Sequence, residues 1–145
     1  MDDAARAAFL AEFAPHPENT LVGVCVLGGA FSEGIDLPGD LLTGAAIVGT
    51  GVPQINPAGD ALREAYEALF CSGYAYAYFY PGLSKVLQAA GRVIRSEKDR
   101  GAVLLIDSRW MEASHARLLP PHWKIETARS KEEISARLCA FFAGK

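Results

Sequence analysis

Three short apolar runs, at residues 20–27, 42–48 and 102–106, each closed by glycine or aspartate, constrain this chain more than any other feature. An apolar run without alternation is the pattern of a strand covered on both faces, and such strands belong in parallel sheets. Between the runs the apolar residues follow helical spacing instead. Leu62, Tyr66, Leu69 and Phe70 predict a helix over 60–70, and Leu83, Leu87, Ala90 and Ile94 predict another over 82–95. Phe9, Leu10 and Phe13 predict a short first helix over 4–13, ended before Pro15, which cannot continue it. Ser130 as N-cap, with Glu133 at the capping-box position, predicts a last helix over 131–142. Helices alternating with buried strands predict an α/β fold, a mostly parallel sheet flanked by helices, within one domain at 1–145. Ligands of such sheets sit at the carboxyl ends of the strands, which makes the loops after Leu27, Val48 and Ile106 the candidate site.

Half of the 145 residues are apolar, enough for a core, yet no run approaches the roughly 18 needed to span a bilayer. The polar start, Met1-Asp2-Asp3, is not a signal peptide, so a cytoplasmic address and no membrane partner are expected. Cys25, Cys71 and Cys139 are too far apart for a zinc site or a disulfide framework, and are expected as reduced, small core residues. A net charge of −3 excludes nucleic-acid binding through bulk basicity. Any such contact must be local, and Lys85, Arg92, Arg95, Lys98 and Arg100 cluster in one stretch. The tyrosines at 74, 76, 78 and 80 could stack on bases, but period-two aromatics before Pro81 are better read as an extended segment packed on the sheet. Trp110, Trp123, His115 and His122 are expected to cap and pack.

Two segments carry chemistry. In QAAGRVIRSEKDRG, residues 88–101, Gln88, Arg92 and Arg95 share one narrow arc at about 100° per residue, opposite the apolar side. Two guanidinium groups a turn apart suit a phosphate, since arginine binds phosphate oxygens in pairs. A solvated face with Glu97 and Asp99 as partners is the alternative. In GGAFSEGIDL, residues 28–37, glycines permit close approach, Ser32 offers a hydroxyl and an amide to phosphate, and Asp36 can accept from ribose or arginine. A capped turn would need the same residues.

Together these segments resemble motifs V and VI of the carboxy-terminal helicase lobe of the XPD/DinG branch of superfamily-two helicases. FSEGIDLPGD is similar to motif V, and QAAGRVIRSEKDRG to the QxxGRxxR and DxG of motif VI. The resemblance runs from about Leu21 to Trp110 and takes in GTGVPQINP and YFYPGLSKVLQ. It implies a RecA-like, P-loop NTPase-type lobe that closes with a first lobe over ATP and Mg2+ and moves along single-stranded DNA, with DNA repair among its expected settings. It further implies Arg95 as an arginine finger, Arg92 as its phosphate-contacting companion and Gln88 as their orienter. Gly34 and Asp36 would line the nucleotide cleft, and Ser32 would touch the DNA backbone. Neither GxxxxGKS/T nor DEAH occurs in the sequence. The phosphate loop and metal ligands are therefore expected on a lobe absent from this chain, as is any iron-sulfur cluster of the branch, and no turnover is expected from this chain alone. Nothing before Leu21 matches the strand that opens such a lobe, so the chain is expected to begin inside it, with an exposed sheet edge. A stand-alone nucleotide- or partner-binding module that kept the fold without the motor is the alternative.

Overall fold

A computed structural model describes residues 3–13, 20–29, 37, 41–94 and 99–144. Helix α1, Asp3–Ala11, is followed by strand β1, Gly44–Val48, helix α2, Pro57–Phe70, a π-helical turn at Ala75–Phe79, and helix α3, Tyr80–Ala90. Strand β2, Ala102–Ile106, leads through a 3-10 turn, Ser108–Met111, to the short α4, Ala113–Ala116, and finally α5, Lys131–Ala143. The two strands pair in parallel, Gly44 with Ala102 through Val48 with Ile106. Helices α2 and α3 form the crossover between them, as parallel pairing requires.

Local chemistry sets the helix ends. The Asn56 side chain accepts from the Gly59 amide at 3.0 Å, and Pro57 fills the first helical position, where its missing N–H costs nothing. Helix α2 thus starts three residues before the expected start at Asp60. Cys71 closes it in the left-handed conformation, with φ of 51°. At α5 the Ser130 hydroxyl accepts from the Glu133 amide at 3.2 Å. The Glu133 carboxylate accepts from the amide of Arg129, one residue before the cap, rather than from Ser130 itself.

The core lies on one side of the sheet. Ile47 packs with Leu83, Val86 and Ala90 of α3 and with Trp110 and Leu119 beyond β2. Val86 is fully buried, and burial of such a side chain contributes about 1.5–3 kcal/mol. Close approach of β1 and α3 depends on two glycines. Gly51, at φ of +71°, faces the Gly82 carbonyl, and a Cβ on Gly82 would come within 2.7 Å of the Val52 amide nitrogen.

Four expectations are corrected here. Residues 20–27 do not form a buried strand. Among the described residues the sheet has only β1 and β2, and Val22, Val24 and Val26 are exposed. The run crosses α1 instead, with Gly23 against the Phe9 and Phe13 rings. Consequently, among the described residues, the sheet is covered on one face only, and Gly44, Ala46 and Val48 point outward. Second, residues 74–80 are helical rather than extended. The Tyr80 amide reaches back five residues to Ala75, and Pro81 cannot donate, which loosens the turn before it. This wide turn puts Tyr78 inside, 1% exposed, with its hydroxyl near Asp60 Oδ1 (3.2 Å) and the Asn56 carbonyl (3.3 Å). Tyr76 packs on Tyr66 and Phe70 of α2, so the segment is structural, as expected, in a different conformation. Third, α3 ends at Ala90 instead of Arg95. The Gly91 amide still donates to Leu87, but those of Arg92 and Val93 donate three residues back, to Ala89 and Ala90. The tightened turn swings Val93 inward against Gly101 at the start of β2. Fourth, the three cysteines, expected in the core, are exposed. Cys25 lies on the unpaired run, Cys71 at a helix end and Cys139 on α5, which has no buried residue.

Among the described residues no helix is long and apolar enough to cross a membrane. His115 does pack, with its ring edge-on to Phe79 (4.6 Å) and Trp110 (5.8 Å).

Candidate functional site

Parallel pairing brings the carboxyl ends of β1 and β2 together, so the loops after Val48 and Ile106 share one edge, as expected of a ligand site. The Gly49 amide extends the ladder by donating to Ile106 at 3.0 Å. Gly49 and Gly51, at φ of +88° and +71°, then bend the loop back over α3. A cleft of about 530 Å³ opens there, lined by Val26, Gly49, Thr50, Gly51, Lys85 and Arg109 among others.

Thr50 lies between the two glycines and is 2% exposed. Its hydroxyl is buried without a hydrogen-bond partner, a state that costs about 1–3 kcal/mol. Lys85 crosses from α3, and its chain lies against Gly28, where a Cβ would meet Nζ and Cδ at 3.2 Å. Gly28 itself sits at φ of +80°. Thus the first residues of the 28–37 segment touch the helix that leads into the 88–101 segment.

The loop after β2 presents an ion pair. Asp107 Oδ1 accepts from the Arg109 amide and from Nε, both at 2.9 Å, and Oδ2 accepts from Nη2 at 2.8 Å. The guanidinium hydrogen bond, followed by that of the Arg109 amide, holds the Asp107 carboxyl well below the usual carboxylate range. Asp107 in turn raises the affinity of Arg109 for its proton. Arg109 is thereby fixed at the rim of the cleft with its charge largely answered. Next to it the buried Trp110 Nε1 also lacks a partner.

Of the residues singled out by sequence, Gln88 is exposed on the last turn of α3, and Arg92 is half-buried in the turn beyond it. A common arc for Gln88, Arg92 and Arg95 required a helix continuing to Arg95, and the end of α3 at Ala90 removes that basis. Arg95, Ser32, Gly34 and Asp36 lie outside the described residues. Thr50, Asp107 and Arg109 were not singled out, although GTG and DSR directly follow apolar runs at the expected ligand edge, which is the signal that points to them. Among the described residues no three His, Cys, Asp or Glu side chains gather to hold a metal ion.

Comparison with known proteins fits this arrangement. The family model for the helicase C-terminal domain matches residues 1–126. An ATP-dependent DNA helicase DinG from Photobacterium profundum is 40% identical over 95 residues, covering 63% of this chain and 13% of that protein. The ATP-dependent DNA helicase chl-1 of Caenorhabditis elegans is 36% identical over 97 residues, 65% of this chain and 11% of that protein. A regulator of telomere elongation helicase 1 homolog from Drosophila persimilis is 36% identical over 108 residues, 68% and 10% respectively. The chain spans only about a tenth of these relatives. With an α/β RecA-like architecture and both motif segments in order, the chain belongs to the helicase C-terminal domain family of XPD/DinG-type helicases.

Proposed function

We propose that this chain works as the carboxy-terminal lobe of an ATP-dependent DNA helicase, completing an ATPase site whose phosphate loop and Mg2+ ligands come from a first RecA-like lobe in the full-length protein. Arg95 is the arginine finger that stabilises charge developing on the transferred phosphoryl group. Arg92 contacts phosphate beside it, and Gln88 orients the pair from the end of α3. Gly34 and Asp36 line the nucleotide side of the cleft between lobes, and Ser32 touches single-stranded DNA. The observation that carries this reading is the packing of Gly28 on Lys85. It sets the start of the segment assigned to DNA and nucleotide beside the helix that leads towards the arginines. Closure of the lobes on ATP and their opening on release would then step the protein along a strand.

Single-strand-stimulated ATP hydrolysis tests it, measured for this chain alone, for the chain joined to its natural upstream sequence, and for that longer protein with Arg95→Ala. Turnover is expected only in the longer protein, with a loss of about a hundredfold or more on removing the finger, since such a group is worth about 10³–10⁵ in related NTPases. Equal turnover with and without Arg95 would sink the assignment. The absence of any hydrolysing upstream lobe would favour a binding module without a motor.

A further inference from the structure

The 88–101 segment accounts for the arginines but not for the cleft at the carboxyl edge. There a buried hydroxyl has no partner, and Lys85 makes no ion pair among the described residues. We propose that the loop at residues 49–51, with the Thr50 hydroxyl and the Lys85 ammonium, is a second nucleic-acid contact that holds one backbone phosphodiester of the single strand. The anion site stands on the geometry, whereas the choice of a DNA strand as its source rests on the helicase reading above.

Charge selects a diester over a polyphosphate. Arg109 at the rim is bound through both carboxylate oxygens by Asp107, which among the described residues leaves Lys85 as the uncompensated cation facing the cleft. One such charge matches the single charge of a phosphodiester, whereas a nucleoside triphosphate brings about four and needs further cations or a metal. Size and lining agree. The cleft of about 530 Å³ is walled by Val26, Val48, Val52 and Pro53 beside its polar floor, a surface suited to the apolar edge of a sugar next to its phosphate. The hydroxyl is available because it has no existing hydrogen bond to give up. Turning the Thr50 side chain between staggered rotamers redirects its oxygen without moving the backbone. The backbone is in any case fixed, since Gly51 is pressed against Gly82. The resemblance takes in this loop and Lys85 within GTGVPQINP and YFYPGLSKVLQ, but it implies no role for either residue.

The test is amide NMR of the isotope-labelled chain titrated separately with a twelve-nucleotide oligothymidine, with ATP and with inorganic phosphate. The oligonucleotide is expected to shift the amides of residues 49–51 and Lys85, with ATP and phosphate producing much smaller changes. Lys85→Gln is expected to weaken the oligonucleotide about tenfold and to lower the salt dependence of log K by about 0.7, the loss of one phosphate contact on a single strand. Thr50→Val, which keeps the volume and removes the hydroxyl, is expected to weaken it about fivefold, a typical loss for one hydrogen bond. Shifts confined to other regions, or a Lys85→Gln variant with unchanged affinity and salt slope, would overturn the proposal. Equal or larger shifts with ATP would overturn the diester assignment and give the cleft to nucleotide. This site and the helicase reading fail separately. An intact Arg95 effect on hydrolysis without shifts at 49–51 removes only the site, and shifts at 49–51 without strand-stimulated hydrolysis in the longer protein remove only the motor.

Discussion

Residues 20–27 and β1 are both apolar runs that end in glycine, and they meet opposite fates. Strand β1 has a neighbour in register and α3 over one face, so Ile47 is buried and its loop is held against Gly82. The 20–27 run has neither among the described residues, and Val24 is 91% exposed. Among the described residues its only close support is the Phe9 and Phe13 pair at Gly23 and the packing of Leu27 on the core. An apolar run therefore states a need for cover without stating what meets it. In a parallel sheet the cover is always distant in sequence, because pairing needs a crossover and each face needs its own helix. Among the described residues the crossover supplies cover to one face of one strand pair, and the cleft forms where that pair ends.

The sharpest way to break this comparison is to disturb the β1–α3 approach. Gly51→Ala places a methyl group against the Gly82 carbonyl and Val86, with a left-handed φ in addition. Left-handed strain of about 1–2 kcal/mol and overpacking of about 1–3 kcal/mol predict a loss of about 2–5 kcal/mol. In thermal unfolding that is a fall of about 2–4 °C for each kcal/mol. Gly49→Ala is the control. It has a similar φ but open space around the added carbon, so the strain alone, about 1–2 kcal/mol, is expected. Equal losses for the two variants would mean that the contact with Gly82 does not hold the loop.

A smaller effect is expected at Tyr78, where the hydroxyl shares its one hydrogen between Asp60 Oδ1 and the Asn56 carbonyl. Tyr78→Phe keeps the ring in the core and removes that bond, for a loss of about 1 kcal/mol. Denaturant unfolding with an unchanged m-value would show it. No loss at all would mean that the link from the π-turn to the start of α2 is made by ring packing alone.

How much of this was legible in the sequence follows the same division. The apolar stripe puts the start of α2 three residues late and passes over the local signal of Asn56 with Pro57, whereas β2 and the start of α5 were readable because their signals are local: the glycine and aspartate around 102–106, and Ser130 with Glu133. The end of α3 was not, because what stops it is Val93 turning in against Gly101, a contact across the chain. The alternating tyrosines misled for a related reason. Period two is the mark of a strand, and a wide turn before Pro81 produces it in a helix only because Tyr78 has Asp60 to reach. At the site, the ligand edge itself could be read from strand order. That Thr50 would be buried unpartnered and Asp107 would bind Arg109 could not, since both depend on how the loops fold back. Motif resemblance located Arg92, Arg95, Ser32, Gly34 and Asp36 by analogy, and only Arg92 of these falls among the described residues.

The smallest expected effect sharpens the contrast most cheaply. Val24→Ser replaces an apolar side chain by a polar one, which in a buried strand would remove a side chain worth about 1.5–3 kcal/mol of burial and add an unmet hydroxyl. At a position 91% exposed neither cost arises, and a change within about 0.5 kcal/mol is expected. The same substitution at Ile47, which is 6% exposed, should cost several times as much. A loss above about 1 kcal/mol for Val24→Ser would show that something covers the run in solution. Dilution would then separate the candidates, because a loss that fades at low protein concentration marks a second copy as the cover, and one that persists marks a segment of the same chain.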